Sequence, residues 1–90
     1  MLRIQKVADS GTEITLQVEG RIVTEWVAVL EGECWQALRE PLQQLRLDLG
    51  AVTFIDPRGV VAVRRLVTEG VIIVNSPEFI DDLLRGDGEA

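Results

Sequence analysis

Leu45-Arg46-Leu47-Asp48-Leu49-Gly50-Ala51-Val52-Thr53-Phe54-Ile55-Asp56-Pro57-Arg58-Gly59 is the stretch that decides how this chain folds. Leu45, Leu47 and Leu49 alternate with Arg46 and Asp48, the period of a strand with one buried face. Gly50 allows a turn or a bulge, and Val52 to Ile55 adds a short apolar run. Asp56-Pro57 then reads as a helix start. An Asp side chain accepts orphan backbone N–H groups as an N-cap, and Pro suits the first helical position, where no N–H is needed. The helix is expected to run to about Glu69, with Val60, Val63 and Val67 inward and Gly70 as its stop.

The same reading extends in both directions. Upstream, Ile14, Leu16 and Val18 alternate with Glu13, Thr15, Gln17 and Glu19, which predicts a half-buried strand ended by Gly20. Leu2 and Ile4 begin a similar pattern, and Ala8-Asp9-Ser10-Gly11 supplies turn residues between the two, so a hairpin is expected. A helix is expected from about Thr24 to Arg39, with Thr24 as its N-cap and Glu25 in the first turn. Its inner stripe is Val27, Leu30, Cys34, Ala37 and Leu38, and Pro41 ends it or follows its end. Downstream, Val71-Ile72-Ile73-Val74 is apolar throughout, as in a strand covered on both faces. Ser76-Pro77-Glu78 repeats the cap-and-Pro signature before a last helix with Phe79, Ile80, Leu83 and Leu84, capped by Gly86. The expected order is β-β-α-β-α-β-α. That is an α/β domain over residues 1–86 with a mixed sheet of four to five strands and helices mainly on one face, followed by a flexible acidic tail at 87–90.

Composition narrows the function. The chain has 90 residues, enough for one core. Its hydrophobic fraction of 47% and charged fraction of 27% are those of a folded globular protein. Nine basic residues against fifteen acidic ones give a net charge of −6, and Lys6 is the single lysine. This balance opposes binding to nucleic acid or to an anionic membrane surface. The chain has no His and no Tyr, which removes the commonest general base and metal ligand. No metal-ligand spacing and no glycine-rich phosphate loop occurs, so neither cofactor nor metal is expected, and no enzyme activity. The lone Cys34 suits a reducing compartment, and no apolar run is long enough to span a bilayer, so a cytoplasmic location is expected.

Three stretches together resemble the STAS domain of sulfate transporters and anti-sigma factor antagonists: Val18 to Ile22 leading into the first helix, Leu45 to Gly59, and Gly70 to Ser76 with the helix after it. The second is the most specific and looks like the family's signature strand with its Asp-Ser-Ser-Gly or Asp-Ser-Thr-Gly turn. The resemblance implies a STAS-like fold and a cytosolic, bacterial regulatory module that binds another protein. That partner would be an anti-sigma factor that is also a serine kinase or, for an accessory subunit of a lipid-type ABC transporter, the transporter's ATPase. In the antagonists, phosphorylation of the hydroxyl residue just before the motif glycine blocks binding. Here Asp56, Pro57, Arg58 and Gly59 form a degenerate switch motif, with Arg58 at the acceptor position and Pro57 before it. Arginine accepts no phosphoryl group from a serine kinase, and it places a positive charge where the family's off-state carries about −2. Arg21 and Val23 likewise replace the acidic residues of the family's first turn.

Among individual residues, Asp56 reads as an N-cap rather than a general base. Gly59 permits close approach of a partner backbone or close packing of helix on sheet. Trp26, Val29 and Trp35 fall off the inner stripe of their helix, and Trp26 reads either as an interface anchor or as a cover for the core's edge. Arg58, Val61, Ala62 and Arg65 share one face of the second helix. The expected partner surface is Trp26, Val29, Arg58, Val61 and Arg65, and the competing reading is a solvated helix face. Cys34 reads as a small buried hydrophobe. An uncovered sheet face leaves room for a homodimer.

Overall fold

The structure is a computed structural model and describes residues 1–39 and 44–86. Its elements in chain order are β1 (Leu2–Asp9), β2 (Glu13–Ile22), α1 (Thr24–Leu38), β3 (Gln44–Ile55), α2 (Pro57–Thr68), β4 (Ile72–Val74) and α3 (Glu78–Gly86). The sheet has four strands in the order β1-β2-β3-β4. β1 and β2 form an antiparallel hairpin, whereas β2 with β3 and β3 with β4 pair in parallel. The two parallel crossovers step in the same direction across the sheet. With the usual right-handed connection, α1 and α2 therefore fall on one face.

That face holds the core. Ile14, Leu16 and Val18 of β2 and Leu45, Leu47 and Leu49 of β3 meet Leu30 and Cys34 of α1, Val63 and Leu66 of α2 and Ile80 of α3. On the other face Thr15, Gln17, Arg46 and Asp48 are half-exposed. Arg46 pairs there with Glu13 at 3.3 Å.

Several boundaries differ from the sequence expectation, each for a tertiary reason. The two apolar segments around Gly50 are one strand, β3, in which two extra residues are absorbed as irregularities against β2, between Gln17 and Glu19 and again between Gly20 and Arg21. β2 does not end at Gly20 but continues to Ile22. Gly20 sits at φ +105°, where a Cβ would meet the Met1 carbonyl, and the next N–H, of Arg21, donates to that same oxygen at 3.1 Å. Thr24 is the first helical residue of α1 rather than its cap; the cap position is Val23, which has no side-chain bond to give. Val67 is 45% exposed, and the inward face of α2 is Gly59, Ala62, Val63 and Leu66. β4 is not covered on both faces: it is a three-residue edge strand with Ile72 exposed. α3 begins after Pro77, whose carbonyl accepts from Ile80 and Asp81. Phe79 and Leu83 remain 42% and 44% exposed, and Gly86 is its last residue rather than a cap beyond it. Pro41 and the tail at 87–90 lie outside the described residues.

The end of α2 follows its sequence. The N–H of Val71 donates to Leu66 and that of Gly70 to Val67, with Gly70 at φ +107°, the bond pattern of a glycine-terminated helix.

Candidate functional site

At the carboxyl ends of β2 and β3 the chain turns twice into a helix, and one side chain organises both turns. Asp56 Oδ1 accepts the Gly59 N–H at 2.7 Å, capping α2. Its Oδ2 accepts the Thr24 N–H at 2.8 Å and the Thr24 hydroxyl at 2.9 Å, which holds the start of α1. The Gly59 N–H above all, then the Thr24 donors and the Arg58 N–H, hold the Asp56 carboxyl below the usual carboxylate range, against some desolvation. A carboxylate stabilised in its charged form and engaged by helix N–H groups is a structural anion and a poor base.

Gly59 completes this frame. It is buried, and a Cβ there would stand 2.6 Å from the Ile22 carbonyl oxygen and 2.8 Å from Ile55 Cγ1. The glycine lets the first turn of α2 lie directly on the ends of β2 and β3. Pro57 and Arg58, between the cap and the glycine, project outward and are exposed.

Beyond this turn, α1 and α2 run side by side and leave an open groove of about 480 Å³. Arg58, Val61, Ala62 and Arg65 line it from α2, and Val27 and Glu31 from α1. Val61 is 55% exposed, while Ala62, at 2%, forms floor. Arg65 reaches across to Glu31 at 3.5 Å. Among the described residues the Arg58 guanidinium has no ion-pair or hydrogen-bond partner.

Of the residues expected to form a partner surface, the groove brings together Arg58, Val61 and Arg65. Trp26 is half-buried and Val29 is 47% exposed, and neither lines it. The reason is helical phase. Each residue turns the helix by about 100°. Glu31 therefore falls within about 40° of Val27, whereas Trp26 is about 100° away and Val29 nearly opposite. Val27 and Glu31, which do line the groove, are not in the expected surface, because the sequence pattern puts Val27 on the inner stripe of its helix. The signal for Glu31 was its place one turn after Val27, with a charge opposite to that of Arg65.

Two further features frame the site. The Arg21 guanidinium lies over the Phe54 ring, 4.6 Å from its centroid, beside the Asp56 turn. Cys34 is fully buried, and burial followed by the Glu33 and Glu31 charges pushes its thiol up to about 12, so it packs as an apolar side chain. Among the described residues no group of three or more His, Cys, Asp or Glu side chains could hold a metal, and no helix is long and apolar enough to cross a membrane.

No family model matches the chain, and neither does any curated protein. Solved structures do. The anti-sigma factor antagonist SpoIIAA in its unphosphorylated form superimposes with a TM-score of 0.69 at 14% identity, over 92% of this chain and 82% of that one. The STAS-domain antisigma-factor antagonist from Rhodobacter sphaeroides gives 0.61 at 22% identity, over 82% and 86%. Mglu gives 0.60 at 24% identity, over 84% of this chain and 19% of the other. A four-stranded mixed sheet, three helices in the order β-β-α-β-α-β-α and these superpositions together give the chain the STAS fold.

Proposed function

We propose that this chain is a non-catalytic regulatory module that binds another protein through the groove between α1 and α2, in the manner of an anti-sigma factor antagonist without a phosphorylatable serine. The observation that carries the reading is the pairing of a rigid frame with an unengaged cation. Asp56 and Gly59 fix the first turn of α2, and Arg58 stands out from it with no partner of its own among the described residues. Support comes from the fold shared with two antagonists, and from the sequence resemblance, on which Arg58 stands where the family has its acceptor. With arginine there, binding is constitutive, and control passes to the abundance of the protein or of its partner. The setting is the bacterial cytoplasm.

A second reading, the accessory subunit of an ABC transporter, is favoured by the same Pro57-Arg58 pair, since that role needs no phospho-acceptor. Affinity capture from lysate of the source organism separates the two. The baits are the wild type and the double variant Arg58→Glu/Arg65→Glu, with bound proteins identified by mass spectrometry. Recovery of an anti-sigma factor kinase by the wild type and not by the variant supports the first reading. Recovery of a transporter ATPase on the same pattern replaces it with the second. Equal capture of either partner by both baits removes the groove as the site. With Arg58→Ser, incubation with the recovered kinase and ATP is expected to place phosphate on the introduced hydroxyl if only the acceptor has changed.

A further inference from the structure

We propose that the occupant of the α1/α2 groove is an acidic amphipathic helix of the partner protein. Two of its carboxylates, seven residues apart, meet Arg58 and Arg65, and an apolar pair between them packs on Val61 and Ala62. This rests on the reading of the groove as the partner site and names what that partner presents.

The spacing is the first argument. Arg58 and Arg65 are two turns apart on one face of α2, about 10.5 Å along the axis at the rise of a regular helix. A helix laid along α2 at a shallow crossing angle offers side chains at the same interval only at i and i+7. Between the arginines the groove is apolar, with Val61 standing out and Ala62 and Val27 beneath it, and this matches residues i+3 and i+4 of the same helix.

Charge is the second. The chain as a whole carries −6, yet among the described residues this groove presents two arginines against the single carboxylate of Glu31. The Arg58 guanidinium is unengaged among the described residues, and Arg65 is 60% exposed with only a 3.5 Å contact to Glu31. The contact is long and its arginine is exposed, so Arg65 can turn to an incoming carboxylate; Glu31, only 22% exposed, then loses this partner. Guanidinium forks also suit the planar two-oxygen acceptor that a carboxylate offers. Glu31 remains beside the exchanged pair and opposes it, so neutralising Glu31 strengthens binding.

The test titrates fluorescently labelled helix-forming peptides into the full chain and reads anisotropy. One peptide carries Glu at i and i+7 with Leu at i+3 and i+4. A second places its Glu residues at i and i+4, and a third replaces Glu by Lys in the first pattern. The first is expected to bind at least tenfold more tightly than either of the others. Arg58→Glu/Arg65→Glu, checked for folding by circular dichroism, is expected to reverse the preference toward the Lys peptide, and Glu31→Gln to tighten the first peptide a few-fold. Indifference to spacing, no reversal of charge preference, or weaker binding by Glu31→Gln overturns the proposal. So does self-association in sedimentation that the double variant abolishes, since the occupant is then a second copy. If the double variant loses the native partner while the peptides are not discriminated, the site stands and only its occupant has been misread. If the native partner binds the double variant unchanged, both readings fall.

Discussion

The two helices that wall the groove are held in very different ways. α2 is over-determined. Its own Asp56 caps it, Pro57 opens it, Gly59 seats it on the sheet and Gly70 closes it. α1 has no capping side chain of its own, because Val23 holds the cap position, and its start is bound through Thr24 to the cap of the other helix. Each helix also carries a glycine near the groove, and these are not equivalent. Around Gly32 of α1 a Cβ would meet nothing within 4 Å, whereas at Gly59 it would stand 2.6 Å from a backbone oxygen. The glycine of α2 is required by tertiary packing, and the glycine of α1 only weakens its helix. The wall that carries Arg58 and Arg65 is thus the one fixed at both ends and at the sheet, and the wall that carries Val27 and Glu31 has its start fixed only through Asp56.

The largest effect that could break this contrast is at Gly59. Gly59→Ala is expected to destabilise the protein by about 3 kcal/mol, the upper end of what overpacking costs, because the Ile22 carbonyl cannot move aside as a side chain would. Urea unfolding measures it, and a loss below about 1 kcal/mol would show that α2 is not pinned to the sheet.

Asp56 comes next. Asp56→Ala is expected to lower the melting temperature and to speed amide exchange at Thr24 and Gly59 together, since one carboxylate serves both. Thr24→Ala should loosen α1 alone. Exchange that rises at only one of the two amides in Asp56→Ala would separate the helix starts. The same carboxylate sets a pH signature. Its folded pKa lies below the ordinary Asp value, so its contribution is complete above about pH 4 and is lost as pH falls through the depressed folded value. Asp9, lowered by the Gly11 N–H and by Lys6, acts in the same direction. Asp56→Asn is therefore expected to flatten the fall of melting temperature on acidification. An unchanged slope would remove Asp56 as a source of acid sensitivity.

The converse change is Gly32→Ala, expected to stabilise by about 1 kcal/mol, the helix-propensity difference at an exposed position with open space around it. Destabilisation there would mean that Gly32 is shaped by contacts of its own and that the two glycines are alike. The smallest effect is at Arg58. As an exposed cation in the first turn of α2 it opposes the helix dipole, so Arg58→Glu is expected to stabilise by about 0.3–0.5 kcal/mol while disabling the groove. A clear loss of stability would give Arg58 a structural duty and weaken its reading as a binding residue.

Much of the fold was legible along the chain, and the reason is visible in particular residues. Alternation at Ile14 to Val18 and at Leu45 to Leu49, the Asp56-Pro57 start and the Gly70 stop are local signals, because turn chemistry and hydrophobic period act within a few residues. They establish seven elements in their order. Arg58, Val61 and Arg65 were found to share a face because helical spacing is local too. What lay beyond the sequence depended on partners distant in the chain. The Met1 carbonyl fills the place that a Cβ on Gly20 would need, so a glycine that looks like a strand end lies inside the strand. Parallel pairing with β2 carries β3 through Gly50 as one irregular strand. The edge position of β4 leaves Ile72 in solvent although its sequence is that of a buried strand. The α1 wall of the groove is decided by the rotation of α1 against α2, which puts Val27 and Glu31 opposite the arginines and turns Trp26 and Val29 away. Local propensity and period choose what each segment becomes. Which of its faces meets another element is decided only when segments far apart in sequence pack against one sheet.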